Sequence, residues 1–268
     1  MTDQGRYLLD NQQVEAGVRF EALAELFNPS TFRHMIDCGL ADGWKVWEVG
    51  AGGPSVASWL IERVGPTGTV LATDIDTSWL GKTKDSRFEV LCHDVATQEP
   101  PDTNFDLVHA RLVLVHVLER NQAIAHMVEA LRPGGWLILE EADPELQSLA
   151  CLDEFGPEQE LANRLKRAFR TLMTERGVDL SFGRTLTRRL RDAGLSDVRS
   201  DAYFPVGGPA CNELEKATIE QIRRNLVDAG LATIQEIDQH LSNISSGKLD
   251  LVTSPLITAW ARKVSPCP

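Results

Sequence analysis

An acidic residue and several glycines lie together near position 50, in a pattern that suits a small cationic ligand. Glu48 is followed after one residue by Gly50-Ala51-Gly52-Gly53. Glycine has no Cβ, so a ligand can approach the backbone of such a turn closely. The spacing differs from the Gly-x-Gly-x-x-Gly fingerprint of dinucleotide binding, and the Glu48 carboxylate would repel a pyrophosphate. The stretch therefore favours a ligand with an amine or a positive charge, and the simpler alternative is a tight connecting turn.

Two further acids stand where nucleoside-binding groups are expected. Asp74 follows Gly50 by 24 residues, a separation at which a carboxylate can accept hydrogen bonds from both ribose hydroxyls. The next residue, Ile75, is apolar and could cover a base. Asp94 could accept a hydrogen bond from the exocyclic amine of a purine, although an acid in such a position also caps helices or forms Asx turns.

The elements that must position these residues are typical of a parallel α/β sheet. Apolar stretches ending in polar residues, alternating with helical patterns, predict five strands in the first half of the chain. These strands are expected at 46–49, 69–74, 88–94, 105–111 and 136–141. In an open sheet, ligands bind beyond the carboxyl ends of the strands, so the glycine turn, Asp74, Asp94 and residues 109–111 should meet there.

The rest of the chain is mostly helical by its apolar spacing. A helix over 8–27 is expected to stop at Asn28-Pro29, and a short second helix follows at 30–38. Beyond Ala142 the patterns predict helices at 157–176, 185–193, 212–229 and 233–244, the last with a capping box. Two more strands are predicted at 198–206 and 256–264.

Composition and charge narrow the class of protein. The formal net charge is −12, whereas nucleic-acid binding needs a basic face, so no nucleic acid is expected as a partner. No apolar run approaches the roughly 20 residues that span a bilayer, and the N-terminus lacks the layout of a signal peptide. The five cysteines form no Cys-x-x-Cys pair and the six histidines are scattered. We therefore predict a cytoplasmic protein with no membrane partner and no metal site.

Five segments, in order, resemble the motifs of class I S-adenosylmethionine (SAM)-dependent methyltransferases. They are Glu48-Val-Gly-Ala-Gly-Gly, Ala72-Thr-Asp-Ile-Asp76, His93-Asp94, Phe105-Asp-Leu-Val-His-Ala-Arg111 and Leu131-Arg-Pro-Gly-Gly-Trp-Leu137. The chain is similar in particular to the small-molecule enzymes of natural-product and quinone-type pathways. The resemblance implies an α/β fold: a Rossmann-like, mostly parallel sheet of seven strands with helices on both faces and helical lid insertions. It also implies methyl transfer from SAM to a small organic acceptor by in-line displacement.

The resemblance assigns cofactor contacts residue by residue. Glu48 and the backbone of the glycine turn would face the methionine and ribose part of SAM. Asp74 would hold the ribose hydroxyls and Ile75 would pack on the adenine, while Asp94 and Val95 would address the adenine amine and ring. The residues expected to bind SAM are Tyr7, Glu48, Gly50, Ala51, Gly52, Asp74, Ile75, Asp94, Val95, His109 and Arg111.

Catalysis requires less of the protein than cofactor binding does. Positioning two reactants can supply most of the acceleration, and a base is needed only for a hydroxyl or an acidic carbon acceptor. His109 is the candidate base because it lies near a strand end. His116, in an apolar run, is a weaker candidate, and a structural role is the alternative for both. Arg111 would pair with a carboxylate or form a structural salt bridge. Pro54 stands where many relatives have glycine, which puts tight cofactor binding in question.

The predicted domains follow from the motifs. Residues 1–43 would cover the cofactor site, residues 44–142 would form the SAM-binding core, and residues 143–268 would add strands and lid insertions at about 153–178 and 209–247. Tyr7 lies in Tyr7-Leu-Leu-Asp-Asn11, which looks like the family's covering helix. Apolar residues in the two helices before the last strand exceed the need of a thin lid, so a homodimer interface is also predicted there.

Two other functions remain open from the sequence. The first is a SAM-binding protein of the same fold that does not transfer methyl, either a non-methylating catalyst or a partner subunit. The second is a nicotinamide-dependent oxidoreductase. Short-chain enzymes of that type use Tyr-x-x-x-Lys, but Tyr7 is followed four residues later by Asn11, and Tyr203 by Gly207. The sequence therefore favours the methyltransferase.

Overall fold

One seven-stranded sheet organises the chain. A computed structural model describes residues 8–9, 13–81 and 85–265. The strands are β1 (Lys45–Val49), β2 (Thr69–Asp74), β3 (Phe88–Cys92), β4 (Phe105–Arg111), β5 (Leu131–Ala142), β6 (Ser196–Tyr203) and β7 (Leu256–Arg262). Their order in the sheet is β3-β2-β1-β4-β5-β7-β6. β7 is antiparallel to β5 and β6, and the other neighbouring pairs are parallel.

This topology confirms the predicted α/β, Rossmann-like fold. β1 and β4 are neighbours at the centre, and the strand order proceeds from them in opposite directions. Such a switch point opens a crevice beyond the carboxyl ends of the central strands. β2 and β4 have the predicted bounds, 69–74 and 105–111. The glycine turn, Asp74 and residues 109–111 therefore follow or end adjacent parallel strands.

The helices are α1 (Val14–Asp37), α2 (Ser55–Arg63), α3 (Arg120–Ala130), α4 (Pro157–Glu175), α5 (Leu186–Asp192), α6 (Pro209–Asp228) and α7 (Ile234–Ser245). Most lie within a few residues of their predicted bounds. α7 begins with the predicted capping box, in which Thr233 and Glu236 each bond the other's backbone N–H. α2, α3 and α5 pack against strands of the sheet. Among the described residues, no helix is long and apolar enough to cross a membrane.

The predicted break at Asn28-Pro29 was wrong, because α1 continues through Pro29 to Asp37. A proline inside a helix removes a hydrogen bond and costs about 3 kcal/mol. The segment beyond it is held by burial: Ser30 is 5% exposed, and Thr31, His34 and Met35 are fully buried. Tertiary contacts of these side chains offset the local preference for a stop.

The chain divides into two compact units. Unit 1 contains the described residues up to Leu26 together with Asp143–Ser181 and Phe204–Pro255. It is mainly helical, and its core includes side chains from α4, α6 and α7. Ile219, Ile222, Leu226 and Ile237 are almost fully buried in that core. Four of the apolar residues on which the predicted homodimer interface rested are therefore used inside the unit itself.

Unit 2 contains Phe27–Ala142, Phe182–Tyr203 and the chain from Leu256 onward, and so holds the whole sheet. An apolar cluster in this unit joins α2 and the second half of α1 to β1, β2 and β4 through residues such as Met35, Val46, Leu60 and Leu107. All described residues predicted to bind the cofactor lie in this unit. The core fixes the strand ends that carry them.

Candidate functional site

The glycine turn after β1 has the backbone that its sequence requires. Gly50 and Gly52 have φ angles of 61° and 59°, in the left-handed region that favours glycine. A Cβ on Gly50 would come within 2.3 Å of Val113 Cγ2. Ala51 N–H donates to the carbonyl of Thr73 (3.0 Å), which ties the turn to β2. The sequence predicts Pro54 as the first residue of the following helix, whereas in the structure it is the N-cap of α2, which begins at Ser55.

Asp74 holds this turn from the end of β2. Its Oδ2 accepts a hydrogen bond from Gly52 N–H (2.9 Å) and its Oδ1 accepts one from Asp76 N–H (3.0 Å). Burial raises the pKa of the carboxyl, and the backbone hydrogen bonds act in the opposite direction. A carboxylate has about four acceptor positions, so capacity remains for a diol. The neighbouring Ile75 is 72% exposed, which leaves an apolar surface beside the acid.

Asp94 forms an Asx turn, which was the alternative to its predicted contact with adenine. Oδ1 accepts from Ala96 N–H (2.9 Å) and Oδ2 accepts from Thr97 Oγ1 (2.8 Å). Val95 is 6% exposed, and its carbonyl oxygen lies 2.8 Å from His126 Nδ1. Both residues therefore shape the segment after β3, and the Asp94 carboxylate remains half-buried at its rim.

His109 joins two carboxylates inside the sheet. It is fully buried on β4, with Nδ1 2.6 Å from Glu48 Oε2 and Nε2 3.3 Å from Glu140 Oε2. Burial alone would lower the pKa of the imidazole. The charge of Glu48 and the hydrogen bonds to Glu140 and Glu48 outweigh that effect and raise the pKa to about 9. At neutral pH His109 is thus an imidazolium that donates from both nitrogens.

This arrangement differs from that of the predicted general base. A base must offer a nitrogen lone pair to the substrate proton, and both nitrogens of His109 are occupied by carboxylates of the protein. The weaker candidate, His116, ends a short 3-10 turn (Leu114–His116) after β4 and is half-buried. Tyr7 lies outside the described residues.

Glu140 was not predicted as a site residue, yet it is the centre of the buried network. Its Oε2 accepts from Thr31 Oγ1 (2.5 Å) and its Oε1 from Thr258 Oγ1 (2.9 Å), while His34 Nδ1 lies 3.7 Å from Oε1. Burial alone would raise the pKa of this carboxyl, but the hydrogen bond from His109 and the nearby imidazole of His34 hold it well below its ordinary range.

A sequence signal for Glu140 existed: two consecutive acids, Glu140-Glu141, follow four residues of an apolar strand. An ionisable group that ends a buried strand needs a partner. The sequence does not say which strand supplies that partner.

Arg111 faces α1. Its Nη1 donates to Asn28 Oδ1 and to Thr31 Oγ1, both at 3.0 Å. Burial lowers the pKa of the guanidinium, and the charges of Glu140 and Glu48 act against that effect. Arg111 therefore donates hydrogen bonds to side chains of α1.

The carboxyl edge of unit 2 carries the carboxylates of Glu48, Asp74 and Asp94 beside the glycine turn and the exposed side chain of Ile75. The fold, with acids rather than a phosphate cradle at the strand ends, defines the class: Rossmann-like, nucleoside-binding proteins.

Comparison with known proteins shows similarity to methyltransferases. Residues 47–139 match the family model described as a methyltransferase domain. A ubiquinone/menaquinone biosynthesis C-methyltransferase from Laribacter hongkongensis is 34% identical over 109 residues, which cover 38% of this chain and 45% of that protein. The chain thus spans about half the length of the curated relatives it matches.

Solved structures show the same fold. Phosphoethanolamine N-methyltransferase 2 from Haemonchus contortus, in complex with phosphomonomethylethanolamine and S-adenosylhomocysteine, superposes with a TM-score of 0.59 at 17% identity. The match covers 97% of this chain and 60% of that one. The [4+2]-cyclase SpnF superposes with a TM-score of 0.51 at 15% identity, over 89% and 81% of the two chains.

The resemblance to class I SAM-dependent methyltransferases is therefore confirmed by the match of residues 47–139 to the methyltransferase-domain model. SAM is the cofactor that this domain indicates. No group of three or more His, Cys, Asp or Glu side chains that could hold a metal ion occurs within the part of the chain that the structure describes.

Proposed function

We propose that this protein transfers the methyl group of SAM to a small organic acceptor. The observation that carries the proposal is Asp74, which anchors the glycine turn through Gly52 N–H and lies beside the exposed Ile75. One residue pair thus presents an acceptor for the ribose hydroxyls and an apolar surface for the adenine. When bound, SAM supplies an activated methyl group, and the protein's part is to hold the two reactants in line.

The other residues have roles that follow from their positions. The backbone of Gly50, Ala51 and Gly52 leaves room for the ribose and the methionine chain. Glu48 faces the ammonium group. Asp94 and Val95 line the side of the adenine where its amine lies.

The histidine that we propose as the general base is not His109, which the sequence favoured. His109 is bound on both nitrogens and serves Glu48 rather than the acceptor. Arg111 acts indirectly, through α1. His116 is the histidine that remains proposed as a base, for a hydroxyl or carbon acceptor.

The proposal is tested by calorimetric titration of the wild-type protein with SAM and, in parallel, with NADH. Saturable SAM binding is expected, and Asp74→Ala should weaken it at least tenfold, a loss of about 1.4 kcal/mol. Asp106→Ala is a matched control, because Asp106 also accepts a backbone N–H, from Lys45 (2.7 Å), but near the start of β4. It should retain SAM affinity. Tighter binding of NADH than of SAM would refute the proposal.

A second candidate is a SAM-binding catalyst that does not methylate. Its support is the engagement of both His109 nitrogens, together with a fold shared with a [4+2]-cyclase. Turnover separates the two candidates. The protein is incubated with methyl-labelled SAM and, in turn, a naphthoquinol, a catechol and a primary amine, which offer carbon, oxygen and nitrogen acceptors. Label in product with release of S-adenosylhomocysteine favours the methyltransferase, and tight SAM binding without transfer to any acceptor favours the alternative.

A further inference from the structure

A row of polar side chains crosses the sheet of unit 2. The strand registers pair Glu48 with His109, Arg111 with Glu140, Glu140 with Thr258, and Thr258 with Asp201. Paired residues in adjacent strands project from the same face, as do residues two apart in one strand, so all these side chains share a face. The row therefore runs from the glycine turn at β1 to the edge strand β6.

The interior of this row is closed to solvent. His109, Glu140, Thr258 and His34 are fully buried, and Glu48 is 2% exposed. Its carboxylates and imidazoles contact one another: Glu48 and Glu140 contact His109, and His34 Nε2 lies 2.9 Å from Asp201 Oδ1. The chain of contacts is thus Glu48–His109–Glu140–His34–Asp201, and Asp201, with 37% of its side chain exposed, is its end in β6.

Stability does not explain such a row. Replacing a buried ion pair by packed apolar residues is often neutral or stabilising. Glu48 Oε2 lies 2.6 Å from His109 Nδ1, which holds the carboxylate, and Glu48 stands two residues before Gly50 in the chain. A carboxylate in a defined orientation, next to backbone without Cβ atoms, is useful for contacting a cationic group of a ligand.

We infer that His109 is a positioning residue, which fixes the Glu48 carboxylate for the ammonium end of the cofactor. The inference rests on the proposed function. Glu48 touches the ligand and His109 orients Glu48, while Glu140 accepts from the other nitrogen of the imidazole. Thr31 and Thr258 in turn hold Glu140 from α1 and β7. Two arginines also face this group: the charge of Arg111 acts on both Glu140 and Glu48, and the charge of Arg33 acts on Glu140.

The test compares two substitutions at one position. His109→Asn places an amide N–H near the Nδ1 position and keeps the bond to Glu48. His109→Gln places it near the Nε2 position, which keeps the bond to Glu140 and removes the one to Glu48. Each variant is titrated with SAM, S-adenosylhomocysteine and methylthioadenosine. The last ligand retains the nucleoside but lacks the ammonium group, so it does not report on Glu48.

We expect His109→Gln to weaken SAM and S-adenosylhomocysteine by tenfold or more, about 1.4 kcal/mol, and to leave methylthioadenosine within about threefold. His109→Asn should bind all three ligands within about threefold of the wild type. Equal losses in both variants, or an equal loss for methylthioadenosine, would overturn the inference, because a merely structural role predicts them. Asp74→Ala should weaken all three ligands, since all share the ribose, and so tests the proposed function separately.

The wild-type protein gives a second test if both variants unfold. In ¹⁵N NMR of labelled histidine, both ring nitrogens of His109 should be protonated at pH 7. S-adenosylhomocysteine should shift these resonances and methylthioadenosine should not. A single protonated nitrogen, or the same response to both ligands, contradicts the inference.

Discussion

Two adjacent glutamates on β5 show how strongly local contacts control a buried charge. Glu140 and Glu141 are both fully buried, and successive residues of a strand face opposite sides of the sheet. On one side Glu140 accepts from Thr31 and Thr258 and contacts His109 and His34. Its pKa lies well below the ordinary range, despite burial that acts to raise it.

Glu141 is the opposite case. Its Oε1 accepts from the backbone N–H groups of Val113 (3.1 Å) and Leu114 (2.6 Å), and Oε2 has no hydrogen-bond partner among the described residues. Burial raises the pKa to about 8, and the backbone hydrogen bonds and the charge of Arg120 offset only part of that effect. Equal burial thus gives an anion on one face and a neutral acid on the other. The number of charged partners decides between them.

The largest effect that tests this contrast is expected from Glu140→Ala. The substitution leaves His109 and His34 with fewer partners in a buried site, and removing one member of a buried ion pair costs about 3–5 kcal/mol. Glu141→Gln is the control. Its amide oxygen can accept the same two backbone N–H groups, so a loss below about 1 kcal/mol is expected at pH 7. Urea unfolding of both variants measures the difference, and similar losses would show that the two faces are equivalent.

The pH dependence of stability should separate the two glutamates next. The pKa of Glu141 is about 8 in the folded protein and 4.5 by its ordinary value, so the folded state holds a proton that the unfolded chain releases between these values. Its contribution is present in full below pH 4.5 and is lost as the pH rises through 8. For one proton, the slope of the unfolding free energy is at most about 1.4 kcal/mol per pH unit.

Glu141→Gln should therefore lose less stability than the wild type between pH 5 and pH 8. Glu140→Gln should differ from the wild type in the opposite sense. The folded pKa of Glu140 is lowered, so its contribution is present above its ordinary pKa and is lost as the protein is acidified. Unfolding curves recorded in urea at several pH values measure both slopes. Parallel profiles for the wild type and Glu141→Gln would mean that Glu141 is ionised when folded.

The sequence was sufficient for the elements whose signals are local. β2 and β4 were predicted with their observed bounds because each is an apolar run preceded by turn residues and ended by a charged one. The glycine turn and Asp74 follow from spacing along the chain. The helix break at Pro29 was predicted from local preference and was wrong, since burial of Thr31, His34 and Met35 extends α1.

The sequence was insufficient for the partners of the buried charges. His109 was placed at the end of the correct strand, but its contacts with Glu48 and Glu140 depend on which strands are neighbours and in what register. Glu48 and His109 are 61 residues apart in the chain, and His34 and Asp201 are 167 apart. Strand order and register are set by packing of the whole sheet, which hydrophobic periodicity does not encode.

The smallest effect is expected at the surface end of the polar row. Asp201 pairs with His34 and, at 2.8 Å, with Arg33, whose side chain is 51% exposed. Exposed ion pairs contribute about 0–1 kcal/mol, so Asp201→Asn should lower the unfolding free energy by no more than about 1 kcal/mol. Asp192→Asn, which breaks the exposed pair with Arg188, is the matched control for a surface pair without a buried histidine.

The two variants should differ in their effect on His34. Burial acts to lower the pKa of His34, but the nearby Glu140 carboxylate and the hydrogen bond to Asp201 outweigh it and raise the pKa. Asp201→Asn should therefore lower that pKa, and Asp192→Asn should leave it unchanged; NMR titration of the imidazole measures both. The contribution of each contact to stability should fall as water gains access to it. A loss of stability in Asp201→Asn as large as that in Glu140→Ala would contradict this expectation.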